Sequence, residues 1–271
     1  MEFEKILVGL DIEHENAQII KFCLELASKS NSELIFLYAY KPSLSDANKS
    51  LESLNKSHLE QLENQVAALS DLYENVIVEC STKQGFTVDV IKEYAIYEKV
   101  DFVVLGIHQK KEFLEFDNVS LKLLRLLGLP VILIPETFRF VQLDHLVLSI
   151  DFEFEEIQFL CDLLLLMNNL GGRITCLHLS ESDDKREKQR IYRNIKTYEN
   201  IFERQILGYS LSFEILDDSD KKALEKFSLE NEVDIIALME SRRNWRNQYF
   251  NNSSSAKIST DVNIPLLIFS E

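Results

Sequence analysis

The chain has 271 residues, 46% of them hydrophobic and 27% charged, with a formal net charge of −16. That is a globular composition, long enough for two domains that each bury a core, and its acidic field repels the phosphates of nucleic acid. No apolar run approaches the roughly 18 residues of a membrane span, and the acidic start MEFEKILVGLD leads straight into a strand instead of a leader peptide, so a cytoplasmic location is expected.

In chain order, Lys5–Leu10 is a continuous apolar run with β-branched residues, as in a strand buried on both faces. Asp11 ends it. Glu15–Ser30 carries apolar residues at helical spacing, Glu33–Ala39 is a second strand, and Leu51–Leu72 is a long helix striped by Leu54, Leu62, Val66 and Leu69. Asn75–Cys80 alternates like a strand, Gly85 marks the turn after it, and Thr87–Glu98 is a helix. Phe102–Leu105 is the fourth strand, Gly106 opens the loop after it, and a helix and the strand Pro130–Ile134 close the unit. This alternation predicts a doubly wound parallel α/β sheet.

The pattern then repeats. Lys5–Tyr40 superimposes without a gap on His145–Ser180, so that Asp11 falls on Asp151 and Tyr38 on His178; further on, Asp101 falls on Asp234 and Pro130 on Pro265. The predicted second-copy elements are strands at Asp144–Ile150, Arg173–Leu179 and Ser210–Leu216, helices at Glu153–Asn169, Asp184–Leu207 and Lys221–Glu230, and the closing strand Pro265–Phe269. Two tandem domains are expected, 1–139 and 140–271, packed together because the junction is too short for a free linker.

In a parallel sheet of this kind, ligands sit at the carboxyl ends of the strands. The candidate site is therefore the pair of loops after the fourth strand of each copy. A strand ending in Asp, Gly106 at the end of the fourth strand, a serine opening the last helix and a closing strand after proline together resemble the universal stress protein family, over nearly the whole chain twice. The resemblance implies five parallel strands in order 3-2-1-4-5, an adenine nucleotide alpha hydrolase-like fold, with Asp11 and Gly106 facing each other across one crevice. ATP-binding members carry G-x-x-G-x9-G-[ST], whose glycines let backbone N–H groups approach phosphates. The first copy reads Gly106, Gln109, Val119 and Ser120 at those places, and the second reads Met239, Arg242, Asn252 and Ser253. One glycine survives in the first copy and none in the second. The site residues expected from the resemblance are Asp11, Ala39, Gly106 and Ser120 in the first copy and Asp151 and Ser253 in the second. Lys110 joins them as a cation able to replace the lost backbone cradle.

Other signals are weaker. Only seven glycines are present, none in a GxGxxG or Walker A arrangement, and no HExxH or GxSxG occurs. Cys23, Cys80, Cys161 and Cys176 lie in apolar segments without CxxC spacing and read as core residues. The five histidines are scattered, and the basic run Lys185–Lys196 reads as a solvated helix face. Trp245 and Tyr249 could stack on a base or cover a collapsed phosphate loop. No metal site is expected.

The two closing strands are strongly apolar edges. Val131–Ile134 is expected to pair antiparallel with Leu266–Phe269 as an internal pseudo-dimer, which leaves room for a homodimer as well. Three functions fit the sequence. The first is a non-catalytic stress-response regulatory module with eroded nucleotide sites, working through an unknown protein partner without nucleic acid or membrane. The second is an adenine-nucleotide (ATP) sensor through the first domain, and the third a slow ATP hydrolase.

Overall fold

Strand β1 (Lys5–Gly9) is extended because Ile6, Leu7 and Val8 are all fully enclosed, leaving no polar face for a helix to show to water. The computed structural model describes residues 4–43, 50–107, 123, 126–150, 156–157, 160–161, 163–164, 172–180, 185–202, 210–217, 223–240 and 263–270. The chain divides into Phe3–Gln142 and Leu143–Phe269.

In the first domain β1 is followed by α1 (Ala17–Ser30), β2 (Glu33–Tyr40), α2 (Leu51–Ser70), β3 (Val78–Gln84), α3 (Thr87–Glu98), β4 (Phe102–Ile107) and β5 (Val131–Pro135). The strands lie in the order β3-β2-β1-β4-β5, all parallel, with Lys5 opposite Glu33 and Ile6 opposite Phe102. Crossovers from β1 to β2 and from β2 to β3 run one way across the sheet, and that from β3 to β4 returns, so right-handed connections put α1 and α2 on one face and α3 on the other. The core reflects this. A Cβ on Gly9 would meet Ile91 of α3, whereas one on Gly106 would meet Ile19 of α1.

Helix ends follow local chemistry. Ser50 caps α2, its hydroxyl accepting the Ser53 N–H at 3.1 Å. Asn31 and Lys99 end α1 and α3 in the left-handed conformation, with φ of 57° and 54°. The segment beyond β5 packs back on α1: Phe22 meets Phe138 and Phe140 edge-on at 6.0 and 5.9 Å, and the Phe140 N–H donates to Gln18 at 2.9 Å.

The second domain has β6 (His145–Ser149), β7 (Arg173–Ser180), α4 (Lys185–Phe202), β8 (Ser210–Asp217), α5 (Ala223–Glu230), β9 (Ile235–Glu240) and β10 (Leu266–Ser270). Its order is β8-β7-β6-β9-β10, the same 3-2-1-4-5 arrangement. The internal repeat survives as register. His145 pairs with Arg173 and Leu146 with Ile235, as Lys5 and Ile6 pair in the first domain.

Of the boundaries that differ from the sequence expectation, three bear on the site. Strand β3 runs from Val78 to Gln84, because Tyr38, Ala39 and Tyr40 need partners and take Thr82, Lys83 and Gln84. Residues before it fold into turns, with Val76 N–H bonded to Tyr73 O. Helix α1 starts at Ala17 and not Glu15, since the preceding residues are held in a turn on Asp11. Strand β4 continues to Ile107, so Gly106 lies inside the strand, opposite Ile134, and does not open the loop.

Candidate functional site

The carboxyl ends of β1, β2 and β4 surround a cleft of about 360 Å³ in the first domain. It lies where the strand order reverses, with α1 on one side and α3 on the other, so the crossover pattern alone leaves this end open. Asp11, Ala39 and Gly106 all line it. The structure thus brings together three of the residues singled out in the sequence. Lys110, Ser120, Asp151 and Ser253 lie outside the described residues.

Asp11 has two occupations. One carboxylate oxygen accepts the Glu13 N–H at 3.0 Å and closes the turn; the other stands 3.7 Å from His14 Nε2. The side chain remains 43% exposed and the residue lines the cleft. The turn itself is held from below. Asn16, buried to 4% exposure, donates through Nδ2 to the carbonyls of Asp11 (2.8 Å) and His14 (3.1 Å) and to Gln65 Oε1 (2.9 Å). Gln65 returns a bond from Nε2 to the Ile12 carbonyl at 3.0 Å. A long helix thereby fixes the loop that presents Asp11, a link of long sequence separation that no local pattern announces.

The β2 side of the cleft is aromatic. Tyr38 and Tyr40 stack at 6.1 Å and both meet His58 of α2 edge-on, at 5.4 and 4.4 Å. Tyr40 Oη donates to Asn55 Oδ1 at 3.4 Å, and burial pushes its phenol above the ordinary tyrosine range. The Tyr40 carbonyl accepts the N–H of Gly85, whose φ of 156° suits glycine and lets the β3–α3 turn come close. Thr87 and Lys41 complete this end. Lys41 holds its ammonium 3.6 Å above the ring of Phe86, which is 65% exposed.

Sequence reasoning missed Glu13, Tyr38, Tyr40, Lys41 and Thr87. The Tyr-x-Tyr-Lys ending of a strand was the available signal, since period-two aromatics followed by a cation at a carboxyl end mark a wall with a charged rim. Gly106 was found and lines the cleft; its extended backbone needs no glycine, and it also packs closely on α1, where a Cβ would stand 2.8 Å from Cδ1 of Ile19.

In the second domain His178 takes the place of Tyr38 and is buried, its Nδ1 bonded to the Ile150 carbonyl at 3.0 Å. Glu156, at the place of Asn16, is buried too. Met239 lies within β9, as Gly106 lies within β4. Among the described residues no group of His, Cys, Asp or Glu is placed to hold a metal ion, and no helix is long and apolar enough to cross a membrane.

Comparison with known proteins agrees with this architecture. The model of the universal stress protein family matches residues 2–135. A universal stress protein from Archaeoglobus fulgidus DSM 4304 aligns over 100% of this chain and 99% of its own, with TM-score 0.71 and 15% identity. A functionally unknown protein of Pseudomonas aeruginosa PAO1 aligns over 99% and 92%, with TM-score 0.68 and 11% identity. Among curated proteins, none matches the chain in sequence. At these identities the structural likeness speaks for the fold.

Proposed function

Since the chain belongs, through its first domain, to the universal stress protein family, we propose that it is a non-catalytic stress-response regulatory module whose first domain takes an adenine nucleotide. The observation that supports this reading is the open cleft at the strand-order reversal, still lined by Asp11, Ala39 and Gly106. Asp11 is the acceptor proposed for a ribose hydroxyl, and the tyrosine wall and the turn at Gly85 bound the far end. The second domain, with Met239 in the glycine position and a buried His178 at the place of Tyr38, is proposed as a structural and partner-binding half without a nucleotide.

The proposed place of work is the cytoplasm, and the proposed output is an altered surface for a protein partner. Two apolar closing strands, Val131–Ile134 and Leu266–Phe269, are the proposed intrachain pairing edges. Cysteine pairs introduced along those two edges should cross-link within one chain, and failure of every pair to do so would refute the pairing.

The test is thermal unfolding of the nucleotide-stripped protein with AMP, ADP or ATP plus magnesium, in parallel with Asp11→Ala. Ligand at about 100 times its dissociation constant adds about 2.7 kcal/mol to stability. A shift seen in the native chain and lost in Asp11→Ala is the expected result. No shift with any adenine nucleotide sinks the ligand half of the proposal, and phosphate release from ATP above the rate in buffer sinks the non-catalytic half.

A further inference from the structure

The amino-terminal end of the second-domain sheet, at its central strand β6, carries a buried, fully hydrogen-bonded histidine. His145 opens β6 and is 3% exposed. Its Nδ1 lies 2.8 Å from the Asn231 carbonyl, beyond the end of α5, and its Nε2 lies 2.9 Å from Thr175 Oγ1 on β7. Thr175 Oγ1 is in turn 3.0 Å from Ser212 Oγ on β8. A carbonyl only accepts, so Nδ1 carries the proton. Nε2 of the neutral ring must then accept from Thr175, and Thr175 from Ser212. One imidazole thus stitches three strands and the turn after α5 into a chain of bonds with a single direction.

Protonation reverses that chain. With both ring nitrogens donating, Thr175 must accept from Nε2 and point its own hydrogen at Ser212, whose side chain lies toward the exposed edge of the sheet. The charge also enters an enclosed site, and burial there is the main cost; Arg173 on β7 opposes it as well, while Asp144 on the approach to β6 and Asp234 before β9 favour it without offsetting the burial. Arg173 pairs with Asp144 at 3.6 Å and donates to the same Asn231 carbonyl at 3.4 Å, so it competes for the carbonyl that accepts from Nδ1. Asp234 spends one oxygen on the N–H groups of Asp144 and His145, both at 2.8 Å.

The first domain holds a natural control. Lys5 stands at the place of His145, and Asp101 receives its N–H as Asp234 receives that of His145. Yet the Lys5 ammonium reaches outward to Glu98 at 3.1 Å and Glu33 at 3.9 Å, and it stays charged across the neutral and mildly acid range. The same position is therefore pH-silent in one domain and titratable in the other.

We propose that His145 makes the second domain an acid-sensitive element: on protonation its stitch through Thr175 and Ser212 reverses and the amino-terminal end of β6, β7 and β8 opens, while the first domain stays closed. The sign follows from burial, which pushes the imidazole below its ordinary range. Stability tied to the neutral ring is fully present above about pH 6.5 and is lost as pH falls toward the folded-state value. Asp234 works in the opposite sense. Burial pushes its carboxyl up, so its contribution is present at low pH and lost as pH rises through the folded value, and it cannot cause acid lability.

Hydrogen exchange of the full chain at pH 7.5 and 5.5, corrected for intrinsic exchange rates, tests the proposal. Protection in β6, β7 and β8 should fall by up to about tenfold per pH unit for one proton taken up on opening, with a smaller change in β1, β2 and β4. His145→Gln should remove the difference, while His178→Gln, at the other buried imidazole of this domain, should retain it. Equal loss in both domains, or a pH response that survives His145→Gln, overturns the proposal. If His145→Gln does not fold, NMR titration of the imidazole decides: His145 should titrate below 6.5, and lower still in Thr175→Val, which removes the acceptor that the protonated ring needs. Titration at or above 6.5, or no change in Thr175→Val, overturns it equally.

Discussion

A Cβ placed on Gly106 would stand 2.8 Å from Cδ1 of Ile19, inside the contact distance that side chains tolerate. The glycine is therefore a packing residue between β4 and α1 as well as a rim of the cleft. Ile19 meets it with a flexible methyl, so Gly106→Ala should cost about 1 kcal/mol, partly offset by a stiffer unfolded chain. Gly106→Val should cost about 1–3 kcal/mol. Urea denaturation of the two variants gives the comparison. Loss of nucleotide-induced stabilisation in Gly106→Ala at unchanged stability would assign the glycine to the ligand instead.

Asp101 and Asp234 hold the entry of the first strand in their own domains in the same way. Asp101 Oδ2 accepts the N–H groups of Glu4 and Lys5 at 2.7 and 2.8 Å, and Asp234 Oδ2 those of Asp144 and His145. Removing either carboxylate strands two donors. Asp234→Ala should cost about 1–3 kcal/mol, with Asp101→Ala at the lower end because the Glu4 N–H is exposed to water. Asparagine keeps an acceptor oxygen, so Asp234→Asn should recover most of the loss in urea midpoint.

Gln65 is the strut of the Asp11 loop. Gln65→Ala breaks its bonds to Asn16 and the Ile12 carbonyl, so a loss of about 1–2 kcal/mol is expected. Nucleotide affinity should fall as well, although Gln65 does not line the cleft. Isothermal titration alongside urea denaturation separates the two effects, and unchanged affinity would show that the loop holds its shape without the strut.

Lys41 is the one cation among the described residues that line the cleft. Its contact with the exposed ring of Phe86 is worth about 0.5–1 kcal/mol, so Lys41→Ala should leave stability almost unchanged. Ligands bearing phosphate should weaken several-fold relative to adenosine. Equal weakening of AMP and adenosine would place the ammonium against the base or ribose and not the phosphate.

Much of this protein was determined by the sequence alone. Unbroken apolar runs such as Ile6–Val8 admit only strands buried on both faces, and their alternation with amphipathic helices forces parallel crossovers and hence a crevice at the carboxyl ends. The alignment of Asp11 with Asp151 and of Asp101 with Asp234 showed two copies of one unit and located the candidate cleft, while the clamp that Asp101 and Asp234 place on the first strand came only with the structure. Tertiary structure decided what depends on contacts between distant segments. The length of β3 followed from partners demanded by Tyr38–Tyr40, and the place of Gly106 inside β4 followed from pairing with β5. The support of Asp11 by Gln65, and the contrast between Lys5 and His145, arise from side chains far apart in the chain. Periodicity reports which face of an element is buried; it carries no record of which atom on another element that face will meet.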